Sequence, residues 1–262
     1  MSLYFQSICS SSNGNCLALW SETTRILIDC GLSSMKRTRL TLNSLSNNQS
    51  QIDSVLLTHT HSDHISYYPL RVLEESCLTI RIHEDCIEQL RNKHFNGYGF
   101  SNLKLKAFKN KDFNIGDFSI KPFEVSHSPD FPTFGYQVFY KDTKIVIATD
   151  FSEWESVFDN FLDADFIFVE SNHDLKLLEQ FYNPNSRFHM PNPKTGNLLL
   201  NIVESSKKIP SKVMLGHISS QRNERNIALK ETIRTFEKAG KKMDFQLHAA
   251  PLRESCDVVQ IA

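Results

Sequence analysis

The stretch SVLLTHTHSDHIS, residues 54–66, places His59, His61, Asp63 and His64 within six positions directly after an apolar run. Neutral imidazoles and carboxylates that converge on one point are what a divalent cation requires. Strand alternation sends His59 and His61 to the same side as the chain leaves a strand. Asp63 and His64 follow in the turn, within reach of a second ion. A polar turn of internally satisfied histidines would account for one such residue. It does not account for three with an aspartate at this spacing.

Two ions need more ligands than this cluster supplies. His127 follows the run FSIKPFEVS, Asp150 ends KIVIATD and His217 ends KVMLGH. Each lies at the end of an apolar, strand-like segment and precedes turn-forming residues, so all would gather at one sheet edge, where loops carry chemistry on a rigid scaffold. A carboxylate such as Asp150 could bridge two cations. Cys9, Cys16, Cys30, Cys77, Cys86 and Cys256 show no C-x-x-C spacing and read as reduced thiols, not ligands. Nitrogen and oxygen donors without thiolate suit zinc, with manganese or iron also acceptable.

Further residues are candidates for work beyond ligation. Asp63 and Asp150 would be catalytic as well as ligating, and His173 and His189 could act on a substrate or support a ligand. His173 precedes Asp174 at the start of a helix, so a capping arrangement competes with that role. Arg222 and Arg225 follow His217 closely and, with His189, could grip a phosphate. Lys104, Lys106, Lys109 and Lys111 read as a solvated strand face. His248 ends the last long strand as an outer or structural group, and His83 and His94 read as ordinary surface or loop residues.

These residues must be positioned by an alternation of short elements. Strands are expected at 3–9, 15–20 and 25–29, separated by SSSNGN and SETT as in an antiparallel meander. A helix over 35–45 and a polar loop at 47–51 precede strand 54–58. Helix 65–75, strand 78–82 and helix 84–93 follow. The pattern then returns to strands at 103–108, 118–125, 136–140 and 144–148, the last two joined by a hairpin at Lys141-Asp142-Thr143. Beyond Asp150 come helix 153–161, strand 166–169, helices 175–181 and 195–206, strand 213–216, helix 224–239 and strand 245–249. Each half has enough apolar strand for its own sheet, which predicts two sheets packed face to face with helices outside. No linker marks a boundary, so residues 1–262 read as a single metallo-hydrolase domain.

Bulk properties exclude other classes. Acidic and basic side chains nearly cancel, for a formal net charge of −1. There is therefore no global attraction to nucleic acid or anionic membrane, although a local basic patch would suffice. No apolar run is long enough for a spanning helix. The opening MSLYFQSICSSS has neither basic leader nor sustained apolar core, so it reads as no signal peptide, and the expected location is cytoplasmic. LYFQS at residues 3–7 matches part of a protease-cleavage tag, but Leu3, Phe5 and Ser7 alternate as a native first strand would. Asn48-Gln49-Ser50 is a glycosylation sequon that a cytosolic chain leaves unmodified.

HTHSDH resembles the H-x-H-x-D-H motif of the metallo-β-lactamase superfamily, and ILIDCG at 26–31 resembles its early strand ending in an aspartate that orders the metal loop. The resemblance implies an α/β, four-layer αββα sandwich. On that pattern His59, His61 and His127 would bind one metal, Asp63, His64 and His217 the second, and Asp150 would bridge them. A narrower resemblance is to the YycJ/WalJ-like group, through SLYFQSICSSSNGNCLAL, VESNHD at 169–174 and LGHISSQRN at 215–223. The chain departs from that group at His127-Ser128, where the group has His-Asp, and at FHMPN (188–192), which keeps only the histidine and asparagine of a Gly-His-x-Ser-Asn block.

The resemblance implies a dinuclear metal-dependent phosphodiesterase, specifically a nuclease acting on DNA as a 5′-to-3′ exonuclease. Two close metals lower the pKa of a bridging water, and the hydroxide attacks phosphorus in line while the metals neutralise developing charge. Lactamases of this fold commonly place a cysteine at the second metal and lack the bridging aspartate, so Asp150 favours phosphodiester or thioester hydrolysis. Hydrolysis of a small phosphodiester or of a thioester, as in glyoxalase-II-like relatives, is the alternative. A non-catalytic, metal-stabilised binding protein is a third reading. Only 66 residues separate Asp150 from His217, too few for the large inserted domain of mRNA-processing relatives. The oligomeric state is left open, a homodimer being one option.

Overall fold

Two seven-stranded mixed sheets organise the computed structural model, which describes residues 2–46 and 51–262. The sequon at Asn48, and all but the last residue of the loop expected at 47–51, lie outside the described residues. The first sheet takes β1 (Tyr4–Ser11), β2 (Gly14–Trp20), β3 (Arg25–Ile28), β4 (Ser54–Leu56), β5 (Thr79–His83) and β6 (Lys104–Phe108). The second takes β7 (Phe113–Ile115), β8 (Phe118–Val125), β9 (Thr133–Tyr140), β10 (Thr143–Ala148), β11 (Phe166–Glu170), β12 (Lys212–Gly216) and β13 (Gln246–Ala249). A closing β14 (Val259–Gln260) returns to pair with β1, so the strand orders are β14-β1-β2-β3-β4-β5-β6 and β13-β12-β11-β10-β9-β8-β7.

Each sheet is a meander at one side and a parallel set at the other. β1, β2 and β3 pair antiparallel, and β3 to β6 pair parallel. Likewise β7 to β10 pair antiparallel and β10 to β13 parallel. Parallel neighbours need crossover connections. Helices α1 (Met35–Leu45), α2 (Tyr67–Glu75) and α3 (Ile87–His94) supply them in the first sheet. In the second, α4 (Leu175–Gln180) and α5 (Asn192–Ser205) link β11 to β12, and α6 (Arg225–Lys238) links β12 to β13.

Alternation along the strands divides the apolar side chains into three layers. Leu17, Ile26, Ile28, Ile145, Ile147, Phe166 and Phe168 face between the sheets. Their neighbours Ala18, Leu27 and Val55 pack under Leu42, Leu70, Leu73 and Leu90 of α1, α2 and α3. Val146, Ile167 and Val213 pack under Leu198, Ile202, Ala228 and Phe236 of α5 and α6. Both faces of these strands are covered, which is why they read as continuous apolar runs. Each such side chain contributes about 1.5–3 kcal/mol by leaving water. The layers are helix, sheet, sheet, helix, as expected from the sequence. Leu3 and Phe5 are fully buried between the sheets, so the LYFQS segment is part of the first strand and core.

Departures from expectation are local. Residues 155–160 form a 3-10 helix, not an α-helix; Asn160 bonds back to the Val157 carbonyl at 3.0 Å, the side-chain competition that disfavours regular helix. Residues 84–86 are likewise 3-10 before α3 begins. The short β7 and β14 and the first three residues of β9 went unrecognised, being too short or too mixed to show a period. His83 and His94 are both buried: His83 stacks on Phe134, and His94 Nε2 lies 2.8 Å from the Thr60 carbonyl oxygen.

Candidate metal centre

The C-terminal ends of β3, β4, β10, β11 and β12 deliver Asp29, His59, Asp150, Glu170 and His217 to one edge. β8 is antiparallel to β9, as is β10, so β8 points the same way and brings His127 to the same edge. In open sheets of this kind, sites form beyond the carboxyl ends of parallel strands. Three of these residues turn the chain with left-handed backbone: Asp29 at φ 60°, Asp150 at 58° and His217 at 49°. Non-glycine residues adopt this region seldom, with Asp and His among the more tolerant.

The 58–65 loop is fixed before any ion is considered. Thr58 N and Oγ1 each donate to the Asp29 carboxylate at 2.9 Å, and Asn15 N donates to the Asp63 carbonyl at 2.7 Å. Cys30 N donates to the His64 carbonyl at 2.8 Å. Gly31 permits this closeness, because a Cβ there would stand 1.7 Å from the Asp63 carbonyl oxygen. The SSSNGN segment that joins β1 and β2 thus acts as a clamp: Ser10 Oγ accepts from His217 N at 2.7 Å, and Asn15 Nδ2 lies 3.0 Å from His64 Nε2.

Around this frame, ligand-type atoms converge. One group joins His59, His61 and His127, with His61 Nδ1 2.9 Å from His59 Nε2 and 3.2 Å from His127 Nε2. A second joins Asp63, His64, Asp150 and His217. His217 Nε2 lies 3.3 Å from Asp63 Oδ2 and 3.4 Å from Asp150 Oδ1, and His64 Nε2 lies 3.0 Å from Asp150 Oδ2. Asp150 Oδ1 is 3.8 Å from His127 Nε2, so this carboxylate stands between the two groups.

The opposite ring nitrogens are tied to acceptors. His64 Nδ1 donates to Asp29 Oδ2 at 2.7 Å, His217 Nδ1 to Glu170 Oε1 at 2.7 Å, and His127 Nδ1 to the Phe188 carbonyl at 3.0 Å. His59 Nδ1 donates to Thr58 Oγ1 at 2.9 Å, whose own proton goes to Asp29. Because each acceptor holds the proton on Nδ1, Nε2 is the nitrogen that a cation would take, the usual outer arrangement of metal-binding histidines.

Charge and burial agree with that use. Burial alone would raise the Asp150 carboxyl, but facing His217 and His64 hold it well below the usual carboxylate range. Asp63 is lowered in the same way against burial, by His64 and His217. Burial opposes protonation of His217, yet Asp150, Asp63 and Glu170 raise it to about 10. His64 is raised well above normal against burial by Asp150, Asp29 and Asp63. Burial lowers His59, and it lowers His61 to about 4, so the first trio is neutral near pH 7. Asp150 Oδ2 is buried and faces His64 Nε2 at 3.0 Å, while Oδ1 stands 3.4 Å from His217 Nε2. A buried carboxylate is costly unless opposite charge, from imidazolium or from a cation, meets it. Tetrahedral zinc with nitrogen ligands at about 2.0–2.1 Å needs them about 3.3 Å apart, close to the spacings in the first trio. The two clusters suit a dinuclear metal site.

A cleft of about 350 Å³ opens over the centre, lined by His61, Asp63, His127, Asp150, His189, His217 and Arg222 among others. His189 reaches it with Nδ1 2.7 Å from Glu170 Oε1. His173 does not: it is buried, 3.3 Å from Asn172 Oδ1, and lines a neighbouring cavity. Arg225 is also displaced from the mouth. Its Nε donates to the Ala249 carbonyl at 2.9 Å and it lines a separate cavity of about 610 Å³ with the exposed His248. The structure thus brings neither His173 nor Arg225 into the ligand cluster, and His248 stands outside it, as an outer or structural residue would. Lys104, Lys106, Lys109 and Lys111 are exposed on or beside edge strand β6, as a solvated face should be.

Sequence reasoning passed over Glu170, which groups with Asp150, His189 and His217. Its signal was available: it ends the apolar FIFVE as Asp150 ends KIVIATD. Lys93 was also missed. Its Nζ lies 6.0 Å from the centroid of Phe131, whose ring in turn contacts His61 at 4.9 Å. Nothing in the local sequence joins α3 to the metal loop.

The αββα sandwich with a strand-end centre is the plan of the metallo-β-lactamase fold. Residues 24–218 match the beta-lactamase superfamily domain, and the chain belongs to that superfamily. It is 27% identical over 265 residues to exodeoxyribonuclease WalJ of Streptococcus pneumoniae serotype 2, covering 94% of this chain and 96% of that protein. Exodeoxyribonuclease YycJ of Bacillus anthracis is 25% identical over 250 residues, covering 92% and 91%. The metallo-β-lactamase fold protein YhfI from Bacillus subtilis superposes with a TM-score of 0.75 at 18% identity, covering 99% of this chain and 100% of that one. The resemblance to the YycJ/WalJ-like group extends along nearly the whole chain.

Proposed function

We propose that residues 1–262 act as one metallo-hydrolase domain, a dinuclear phosphodiesterase that degrades DNA from its 5′ end. The observation that carries this reading is Asp150, a buried carboxylate that stands between two histidine groups. The names of the two relatives support DNA as substrate. His59, His61 and His127 would hold one ion, Asp63, His64 and His217 the other, with Asp150 shared. Zinc fits the donor set best, with manganese or iron as substitutes. When bound, the ions supply an activated water and neutralise charge on the phosphate.

The chain's own groups do the rest. Asp29 and Glu170 orient His64 and His217 through Nδ1. His189 is held by the same Glu170 and its Nε2 has no protein partner among the described residues, so Nε2 is free to meet the substrate and exchange a proton with it. Arg222 lines the cleft with its Nε buried and unpartnered, and would receive a phosphate oxygen. The unpaired cysteines accord with a cytoplasmic chain. No helix among the described residues is long and apolar enough to cross a membrane.

A cleft of about 350 Å³ would also admit a small phosphodiester or thioester, the competing reading. Metal analysis followed by assays on bis-p-nitrophenyl phosphate, 5′-end-labelled DNA, RNA and a thioester separates the two. Turnover of the thioester alone would overturn the nuclease assignment. Asp63→Ala with unchanged metal content and phosphodiester turnover would overturn the site assignment.

A further inference from the structure

The cleft is not isolated. A cavity of about 390 Å³ shares Asn183, Ser186 and His189 with it, and another of about 500 Å³ shares His127, Ser128 and Phe188. Those two outer cavities both touch Arg187. The segment between α4 and α5 therefore forms a ridge running past the metal centre, with concavities on both sides.

This ridge is fixed at its base and bare at its crest. Phe188 C=O accepts from His127 Nδ1, His189 is tied to Glu170, and Ser186 and Met190 are buried. The 3-10 turn Pro184–Phe188 is capped by Asn183 Oδ1, which accepts from Asn185 N at 3.0 Å. On the crest, Tyr182 is 78% and Phe181 55% exposed, and neither ring stacks on another aromatic among the described residues. Arg187 lies over the Phe188 ring at 4.6 Å and makes no ion pair or side-chain hydrogen bond among the described residues. Nearby Lys194 is already paired with Glu153 and Glu155. An exposed aromatic beside an uncompensated guanidinium, on a rigid support next to a phosphodiester site, is the combination by which single strands are held: base stacking with a phosphate contact.

Resting on the nuclease reading, we propose that the ridge carrying Tyr182 and Arg187 binds single-stranded DNA, Tyr182 stacking on a base and Arg187 contacting a backbone phosphate, so that one nucleotide beyond the cleaved bond is gripped and the strand end is fed to the metals. The two outer cavities then hold the strand on either side of the crest.

The test is binding of a fluorescein-labelled phosphorothioate oligothymidylate of about twelve nucleotides to the metal-loaded protein, read by anisotropy. Tyr182→Ala should weaken binding about 5- to 150-fold and Tyr182→Phe should restore it, since the ring and not the hydroxyl is used. Arg187→Ala should weaken binding and reduce the log–log salt slope by about 0.7, one phosphate's share on a single strand. Lys106→Ala, on the outer edge of the other sheet, should bind as wild type. Equal losses for Lys106→Ala and Arg187→Ala would show diffuse attraction and overturn the proposal, as would wild-type binding by Tyr182→Ala. Degradation of 5′-end-labelled DNA by the wild-type protein decides the nuclease reading separately: if degradation is present and the ridge variants bind normally, only the ridge proposal fails.

Discussion

His64 Nδ1 lies 2.7 Å from Asp29 Oδ2, although the two residues come from different strand ends and 35 positions apart. The contact fixes the tautomer of His64 and so aims Nε2 at Asp150. Asp29→Asn keeps the shape and the tolerance for left-handed backbone but removes the charge. It should weaken the ion on the His64 side by about 10–100-fold while leaving the His59–His61–His127 group loaded. Metal content after dialysis against graded chelator should drop from two ions toward one. Two ions held at wild-type affinity would contradict it.

Glu170 serves two histidines at once, His189 and His217, each at 2.7 Å. Glu170→Gln leaves a side chain of equal size that cannot accept from both rings with the same charge. Turnover of bis-p-nitrophenyl phosphate should fall about 10–100-fold, with the far-ultraviolet circular dichroism unchanged. A loss confined to folding, with normal specific activity in the folded fraction, would assign Glu170 to the core alone.

Protons and metal compete at His217. An ordinary histidine titrates near 6.5, while in the metal-free centre His217 is raised to about 10. Between those values the folded chain holds a proton that the unfolded chain has lost, so metal-free stability should fall as pH rises from about 7 toward 10. Metal affinity should move the other way, rising with pH, because the ion must displace that proton. Calorimetric titration with zinc at pH 7 in buffers of different ionisation enthalpy should reveal release of about one proton or more per protein. A pH-independent affinity with no proton release would refute it.

Gly31→Ala tests the clamp on the metal loop. Its Cβ would meet the Asp63 carbonyl at 1.7 Å and the Asn15 N at 2.9 Å, both backbone atoms that cannot swing aside. Chemical denaturation should register a loss of about 1–3 kcal/mol, accompanied by weaker metal binding on the Asp63 side. Unchanged stability with unchanged metal content would mean the loop relaxes freely.

Much of this centre was legible because its residues obey one local rule. His59, His127, Asp150 and His217 each end an apolar run, and the runs of two face-to-face sheets deliver those ends to one edge. Glu170 obeys the same rule, as the last residue of β11 and the second of VESNHD. The ring of His173 instead faces a side cavity, which no periodicity announces. Arg225 lies eight positions after His217, near in sequence, yet it opens α6 and is turned away to Ala249. Sequence distance is a poor guide there because a helix start redirects the chain within one turn.

The layered fold was legible for a related reason: strands covered on both faces leave long apolar runs. His83 and His94 show the limit. Each is polar with a charged residue beside it, Glu84 or Lys93, but long-range partners, Phe134 and the Thr60 carbonyl, make it core. Burial of a single polar residue is decided by such partners and leaves no trace in its own neighbourhood.

Asp29, Asp150 and His217 hold left-handed backbone at the very positions where the centre needs a carboxylate or an imidazole. Each conformer costs on the order of 1 kcal/mol relative to glycine. Glycine at 29, 150 or 217 would relieve that strain yet leave Thr58, His64 or Glu170 without a buried partner, a larger loss. The strained backbone persists because the polar network it carries over-determines it.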